Sequence, residues 1–313
     1  MNQNRTEWVI HVWGKKRDTL ELNNVEKFHI DMLKMFQPQQ KKFDKILINI
    51  ALDDINDINL FDFLKSEIEK VIVNKNIEFK YCQNEKSKGE YVTFRPYVFN
   101  RIGEDVDIFY SHFKGYGTYI KMYRESFPVR VIDFCEKFWS YIMYRYSLNM
   151  SDVQKHLKDK CVYCWFVFKN VDNKASEQSV GYYRDYQNYL QEGNEKLKGL
   201  PSDDLCKHSP GSFVWYNMKN IGKSLADKPE VTSITTQYLI EHSIKDVINL
   251  CTHFCEAYLM QFLKEDECYG VKDYNNEIQN MSGTIYSQIY PSKKIAVEFI
   301  KDFEKYLIEK GLI

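Results

Sequence analysis

Glycine and proline are scarce in this chain of 313 residues, with 13 and 7 copies respectively. This scarcity excludes collagen-like, linker-like and low-complexity proteins. The sequence has no apolar run close to the ~20 residues of a membrane-spanning helix, and its first residues lack the apolar core of a signal peptide. Neither sign of charge is in excess, because the chain has 43 basic and 44 acidic residues. The net charge of −1 provides no global field for nucleic acid, so we expect no nucleic-acid partner.

A disulfide framework is also missing, although the chain has eight cysteines. Such frameworks are typical of short secreted domains, so we expect reduced thiols in a cytoplasmic protein. Cys161 and Cys164 form a CxxC motif in an apolar, strand-like run, while Cys251 and Cys255 lie one turn apart in a helical pattern. A structural zinc site needs two such pairs that meet in space. Buried cysteine is the simpler interpretation, and we expect no bound metal here.

Aromatic residues are abundant instead, with 23 Tyr, 20 Phe and 5 Trp. Tyrosine combines an apolar ring with a polar hydroxyl, so it suits a wet cleft or a sugar-binding surface as well as a core. Composition alone favours the core for most of these rings.

Strand-like and helical patterns alternate through the first half of the chain. Apolar or alternating runs indicate strands, and apolar residues at helical spacing indicate the helices between them. The predicted strands are residues 8–13, 45–52, 77–82 and 107–111. The predicted helices are residues 23–36, 59–73 and 89–102. Strands that alternate with helices form parallel sheets, so we expect an α/β fold with a Rossmann-related, mostly parallel sheet flanked by helices.

The second half of the chain is more helical, although strands are predicted at residues 161–168 and 212–216. Helical patterns predominate from residue 232 onward, and a weak boundary lies near Pro229. We therefore expect one domain over residues 1–228 and a helical C-terminal lobe over residues 229–313.

Polar residues follow three of the predicted strands, at the sheet edge where parallel sheets bind ligands. The loop after the first strand begins at Gly14, and Asp53 and Asp54 follow the second strand. Two carboxylates there could accept hydrogen bonds from a base or from ribose hydroxyls. Aspartate also commonly ends strands and caps helices, and both interpretations stay open.

A histidine and a lysine lie in a glycine-containing turn after the fourth strand. His112 and Lys114 could donate to a diphosphate, and Gly115 allows the backbone to approach it closely. An ordinary strand-to-helix turn is the alternative. The nearby Asp105-Val-Asp107 is a literal DxD sequence, but it precedes the strand. We therefore expect it at the opposite sheet edge, as a turn rather than a metal site.

Residues 208–217 combine a histidine, a tight Pro-Gly turn and three aromatic residues. Aromatic faces stack on sugar rings, and His208 could accept a hydroxyl proton. Asp203 and Asp204 just upstream are further candidates for a base. The alternative is a sheet edge whose aromatic side chains belong to the core.

Together these elements resemble a GT-A glycosyltransferase of the family-2 group over residues 6–120. In that group the second strand ends in an aspartate pair that holds the base, and the fourth ends in a metal-binding DxD. A narrower resemblance, over residues 84–217, is to the rhamnan-synthesis F family and related polysaccharide glycosyltransferases. Its elements here are Gly89-Glu90, His112-Phe-Lys114, Trp139 and Gly211-Ser-Phe-Val-Trp215.

This resemblance implies a cytoplasmic glycosyltransferase that moves a hexosyl or deoxyhexosyl group from a nucleotide sugar to a surface polysaccharide or glycolipid. Residues 1–228 would be its GT-A-like catalytic domain. The implied nucleotide-sugar contacts are Asp53, Asp54, His112, Lys114 and Gly115. The implied catalytic candidates near the reacting sugars are Glu90, Asp203, Asp204 and His208. The implied acceptor pocket consists of Gly211, Phe213, Trp215 and Tyr216.

The sequence departs from the family-2 pattern where the metal-binding DxD is expected. Ser111, His112, Phe113 and Lys114 occupy that position, so a Mg²⁺ or Mn²⁺ requirement stays open. A protonated side chain could neutralise the leaving diphosphate in place of a metal. A peripheral contact with the inner face of the membrane and a homodimer also stay open. The alternative function is a non-catalytic scaffold or binding protein in polysaccharide assembly, with a degenerate glycosyltransferase fold.

Overall fold

The computed structural model describes residues 4–85, 89–113, 143–166, 213–226, 260, 263 and 265–272. The strands are β1 (Arg5–Gly14), β2 (Lys45–Leu52), β3 (Ile77–Gln83), β4 (Val106–His112), β5 (Val162–Phe166), β6 (Val214–Asn217) and β7 (Cys268–Lys272). The helices are α1 (Asn24–Met35), α2 (Gln37–Gln40), α3 (Ile58–Glu69), α4 (Tyr91–Tyr97), α5 (Met150–Leu157) and α6 (Met218–Ser224). Short 3₁₀ turns lie at Phe99–Arg101 and Glu265–Glu267.

These strands form one seven-stranded sheet in the order β3-β2-β1-β4-β6-β5-β7 within the described residues. Strands β1 to β4 are parallel, β6 is antiparallel to β4 and β5, and β7 is parallel to β5. The predicted α/β class with a mostly parallel sheet is therefore confirmed. All four strands predicted in the first half are present, with bounds that differ by a few residues.

Strand β7 lies in the segment that the sequence predicted to be a helical lobe. Its residues 268–272 are short, contain a glycine and show no clear alternation, so sequence alone gives little sign of a strand. Its hydrogen-bonded pairing with β5 instead joins it to the main sheet. The predicted helices of residues 229–313 lie outside the described residues.

The helix predicted over residues 89–102 is interrupted. Pro96 lies inside α4, which ends one residue later and is followed by a 3₁₀ turn at Phe99–Arg101. Proline supplies no backbone N–H and its ring clashes with the preceding turn, so the helix cannot continue regularly through it.

Both faces of the sheet are covered, which explains the continuous apolar run of β1. One face carries Trp8 and Ile10 in a cluster that α1, α3 and α5 complete. The other face carries Val9 and Ile108 in a cluster with residues of α4 and α6. The first cluster is almost entirely apolar, whereas the second face becomes polar toward the carboxyl ends of β1 and β4. That polar region contains the buried side chains of His11 and His112.

Helix α6 and the turn that precedes β4 approach each other closely through two glycines. A Cβ atom on Gly222 of α6 would lie 2.6 Å from the Cα of Gly103 and 2.9 Å from its backbone nitrogen. Gly103 adopts a φ of +95° that favours glycine, and its N–H donates to the carbonyl of Met218 at 2.9 Å. Helix α6 and the turn before β4 can therefore pack this closely only with glycine at both positions.

Replacing Gly222 with alanine is expected to lower the free energy of unfolding by about 1–3 kcal/mol, because the new methyl group meets backbone atoms rather than a flexible side chain. Urea unfolding measures the change. The matched control is Lys223→Ala on the exposed side of the same helix, for which we expect a change within about 0.5 kcal/mol. Equal stability of the Gly222 variant and the wild type would contradict this packing.

Candidate functional site

The carboxyl ends of β1, β2 and β4 meet at a point where the strand order reverses. The chain runs outward from β1 to β2 and β3, then returns to β4 on the other side of β1. The 3-2-1-4 order is that of the first four strands of a classical doubly wound sheet, and ligands of such sheets bind in the crevice at this reversal. Gly14, Leu52 and His112 end the three strands at this edge.

Asp53 joins the strand ends through its carboxylate. Trp13 Nε1 and Asn84 Nδ2 each donate to Asp53 Oδ1 at 2.8 Å, and the backbone N–H of Lys16 donates to Oδ2 at 3.1 Å. The backbone N–H of Asp53 in turn donates to the Gly14 carbonyl at 3.1 Å. The carboxylate therefore acts as a brace between the loops that follow β1, β2 and β3.

Trp13 offers an exposed aromatic ring at this edge, although it lies near the end of a buried strand. The residue is 43% exposed, and its hydrogen bond to Asp53 fixes the orientation of the indole. Lys15 Nζ lies 5.9 Å from the ring centroid. Sequence reasoning placed Trp13 among the buried strand residues. The only local signal for its exposure is its position directly before Gly14 and three basic residues.

Asp54 is partly accessible to solvent at this edge. Its side chain is 43% exposed, and Lys16 Nζ lies 4.0 Å from its Oδ2 atom. Oδ1 accepts from the backbone N–H of Asn56 at 3.1 Å, which closes the turn into α3. Oδ2 of Asp54 therefore lies near the Lys16 ammonium, on a side chain that solvent can reach.

Glu90 and His112 meet at the carboxyl end of β4, under the start of α4. His112 Nδ1 lies 3.1 Å from Glu90 Oε2, without the angle of a regular hydrogen bond, and the His112 side chain is only 7% exposed. The Tyr110 hydroxyl donates to the same carboxylate oxygen at 3.4 Å. Two residues that the resemblance assigns to different parts of the site are thus direct neighbours.

His11 continues this polar cluster along the neighbouring strand, as the register partner of His112. Its Nδ1 lies 2.7 Å from Thr93 Oγ1, which also accepts from Asn49 Nδ2 at 2.7 Å. Burial lowers the pKa of His11 to about 4, while Glu90 opposes the shift and His112 adds to it. His11 is therefore neutral at pH 7. Sequence reasoning missed this network, because its members are spread over β1, β2 and α4.

Acidification is expected to destabilise the fold through His11. Because the folded-state pKa lies near 4 and the unfolded value near 6.5, His11 stabilises the fold fully above about pH 6.5. This stability, about 3 kcal/mol at 1.36 kcal/mol per pKa unit, is lost as the pH falls toward 4.

Urea midpoints of the wild type and of His11→Gln at pH 7.5 and pH 4.5 measure this contribution. We expect a smaller acid-induced loss in the variant, since glutamine does not titrate. An identical loss in both proteins would show that His11 does not titrate with a lowered pKa.

The aromatic residues in and directly before β6 lie in the core. Phe213, Trp215 and Tyr216 are buried almost completely. Trp215 Nε1 donates to the Ser147 carbonyl at 2.7 Å, and its ring stacks on Phe43 with centroids 5.4 Å apart. A ring buried on both faces cannot stack on a sugar, so we correct the predicted acceptor role of these three residues to a core role.

The DxD sequence lies at the amino end of β4, as the sequence indicated. Asp107 is the register partner of Thr6, near the start of β1, and its Oδ1 accepts from Asn4 Nδ2 at 3.1 Å. Burial raises the pKa of Asp107 to about 6. Asp105 pairs with Lys219 Nζ at 3.2 Å. Both carboxylates are far along the strand from the crevice at its carboxyl end.

Ser111 and His112, which occupy the position of the DxD in the family-2 pattern, carry no carboxylate. Ser111 points to the apolar face, where its hydroxyl accepts from Trp8 Nε1 at 2.8 Å, and the neighbouring His112 supplies an imidazole. Mg²⁺ and Mn²⁺ prefer carboxylate and carbonyl oxygens. These two side chains therefore do not reproduce the cation ligands of a DxD motif.

The other predicted site residues lie outside the described residues, and their roles stay predictions. They are Lys114, Gly115, Asp203, Asp204, His208 and Gly211, together with Trp139 of the narrower resemblance.

Among the helices that the structure describes, none combines the length and apolar character needed to cross a membrane. Comparison with known protein families and with curated proteins finds no match for this chain. We therefore infer its function from its own residues.

Proposed function

We propose that this protein is a nucleotide-sugar-dependent glycosyltransferase with a GT-A-like fold. It would transfer a hexosyl or deoxyhexosyl group to a surface polysaccharide or glycolipid. The observation that carries this proposal is the braced, exposed surface of Trp13, Asp53 and Asp54 at the reversal of the parallel sheet. An aromatic ring beside an accessible carboxylate, at the edge where such sheets bind nucleotides, is suited to a nucleoside.

Each of the three residues has a distinct role in this proposal. The base stacks on the exposed face of Trp13, displacing the Lys15 ammonium that lies near the ring. Asp54 accepts hydrogen bonds from ribose hydroxyls through its accessible oxygen. Asp53 acts as the brace in this proposal, because its carboxylate accepts from Trp13, Asn84 and Lys16. It keeps the ring and the loop in the conformation that binds.

The diphosphate lies toward β4 in this proposal. The bond between the anomeric carbon and the diphosphate breaks, and negative charge develops on the leaving oxygen. The Lys114 ammonium, with His112 and the Gly115 backbone beside it, offsets this charge. The acceptor hydroxyl oxygen forms the new bond to the anomeric carbon, and its proton passes to a carboxylate or imidazole. Glu90, Asp203, Asp204 and His208 are the candidates for that base.

One observation favours the non-catalytic alternative. Glu90 and His112 lie mostly beneath α4, and the His112 side chain is only 7% exposed. A buried pair of this kind also suits a purely structural role. In that case the fold would serve as a scaffold and would bind no nucleotide.

Thermal shift with UDP, GDP, CDP and dTDP at millimolar concentration separates the two functions. A glycosyltransferase is stabilised by at least one of these nucleotides, because ligand binding to the folded state raises Tm. We expect Asp54→Asn to reduce that shift. The matched control is Asp62→Asn on the exposed face of α3, which should retain it. The absence of a shift with all four nucleotides would favour the scaffold.

A further inference from the structure

Strand β3 is the outermost strand on one side of the sheet that the described residues form. In the described residues it pairs with β2 alone, and its outer side chains are accessible, with Tyr81 45% exposed and the Lys80 side chain 48% exposed. An edge strand offers a row of backbone N–H and C=O groups for pairing with another strand. Natural edges are usually shortened, bulged or covered, whereas β3 is a regular strand of seven residues.

The direction of the backbone groups in β3 follows from its pairing with β2. Ile46 N–H donates to the carbonyl of Asn76 at 3.0 Å, and Asn84 N–H donates to the carbonyl of Leu52. Because the backbone direction alternates along a strand, the even-numbered residues of β3 face β2. The N–H and C=O groups of Ile77, Phe79 and Tyr81 therefore point away from the sheet.

The side chains of β3 divide into a charged face and an apolar face. Glu78 and Lys80 lie on one face, where their side chains form an ion pair of 2.6 Å. On the other face, the Tyr81 ring contacts Phe61 of α3 with centroids 4.7 Å apart. An open groove of about 520 Å³ lies along this strand, lined by apolar residues such as Phe61 and Phe79 and by charged ones that include Lys65, Glu78 and Lys80.

We infer that β3 pairs antiparallel with β3 of a second copy of this chain, about a two-fold axis at Phe79. This register places Glu78 opposite Lys80 of the second copy, and Lys80 opposite the second copy's Glu78. Phe79 lies opposite its own symmetry mate, and Ile77 lies opposite Tyr81. The strand is therefore complementary to itself in both charge and apolar character.

The backbone supports the same register. Phe79 opposite Phe79, and Ile77 opposite Tyr81, are pairs of outward-facing residues that can exchange both backbone hydrogen bonds. The Glu78 and Lys80 pairs then occupy the intervening positions, where side chains approach most closely. An axis at Glu78 or at Lys80 would instead place like charges opposite each other. Among axes placed at residues of β3, only the one at Phe79 pairs both charged side chains with side chains of opposite charge.

Pairing about a two-fold axis gives a closed dimer rather than a fibre, because it uses the open edge of each copy once. The two sheets become continuous, and the groove beside Phe79 is covered by the equivalent groove of the second copy. The dimer leaves the carboxyl edge around Trp13 unchanged, so it is independent of the proposed function.

Sedimentation velocity of the wild type over micromolar to submillimolar concentrations tests the proposal first. We expect a concentration-dependent dimer. Lys80→Glu and Glu78→Lys should each be monomeric, because each places like charges opposite each other. An equimolar mixture of the two variants should form a heterodimer, since one strand is then wholly acidic and the other wholly basic. Lys41→Glu, at an exposed position in the turn after α2, has the same charge change and should stay dimeric.

Three outcomes of the sedimentation experiments would overturn the proposal. A wild type that is monomeric throughout would mean that Lys80 protects the edge against pairing. A dimer that persists in both charge variants would place the interface elsewhere. Variants that fail to associate on mixing would exclude this register.

Hydrogen exchange on the wild type provides a test without substitution, because the amides of Phe79 and Tyr81 should exchange more slowly at the higher concentration. Equal exchange rates would also overturn the proposal.

Discussion

Replacing Trp13 with alanine is expected to weaken the binding of a nucleoside diphosphate by about 10- to 100-fold, because stacking of a base on an aromatic side chain contributes about 1–3 kcal/mol. The indole is half-exposed and held by Asp53, so the wild type loses little freedom when a base stacks on it. Isothermal titration calorimetry with the nucleotide that gives the largest thermal shift measures the loss.

Two controls separate stacking from a general effect on the fold. Trp13→Phe keeps an aromatic face but loses the hydrogen bond to Asp53, so we expect an intermediate affinity. Val73→Ala removes an exposed apolar side chain in the connection between α3 and β3, and its affinity should match the wild type. An unchanged affinity of Trp13→Ala would contradict the assignment of Trp13 as the platform for the base.

Replacing Lys114 with alanine is expected to lower kcat by about 100- to 1,000-fold, the range found when a group that stabilises developing charge is removed. The residue follows β4 closely, and the chain's net charge of −1 leaves no global field that could replace its local positive charge. Release of nucleoside diphosphate from the donor sugar, in the presence of acceptor, measures the rate.

Stability and charge controls accompany this variant. Thermal unfolding should be unchanged by Lys114→Ala, and Lys114→Arg should keep part of the activity because it keeps the charge. Lys41→Ala, an exposed lysine in the turn after α2, should be fully active. Full activity of Lys114→Ala would exclude its role at the diphosphate.

The sequence predicted the first half of the sheet well because each strand carries its own strong signal. Strands β1 and β2 are continuous apolar runs buried on both faces, and such runs are visible without any knowledge of the fold. Strand β7 has no such signal, since its place depends on pairing with β5, more than a hundred residues earlier in the chain. Local patterns cannot report a partner that is distant in sequence.

The same distinction between local sequence signals and long-range packing applies to the candidate site. The position of Asp53 and Asp54 after β2 predicted that they would lie at the carboxyl edge. Sequence could not show that Asp53 is a brace, because its donors come from two separate segments, the end of β1 with the loop after it and the residue after β3. The sequence could not predict the burial of Trp215 either, because a sugar-binding aromatic residue and a core aromatic residue have the same local pattern. Tertiary packing alone distinguishes them.

A crystal structure of the protein with one nucleoside diphosphate tests the central claim most directly. The account predicts the base stacked on Trp13, a ribose hydroxyl within hydrogen-bonding distance of Asp54, and the diphosphate directed toward the end of β4. Binding of the nucleotide at any other surface, with the crevice between β1 and β4 left empty, would contradict the account.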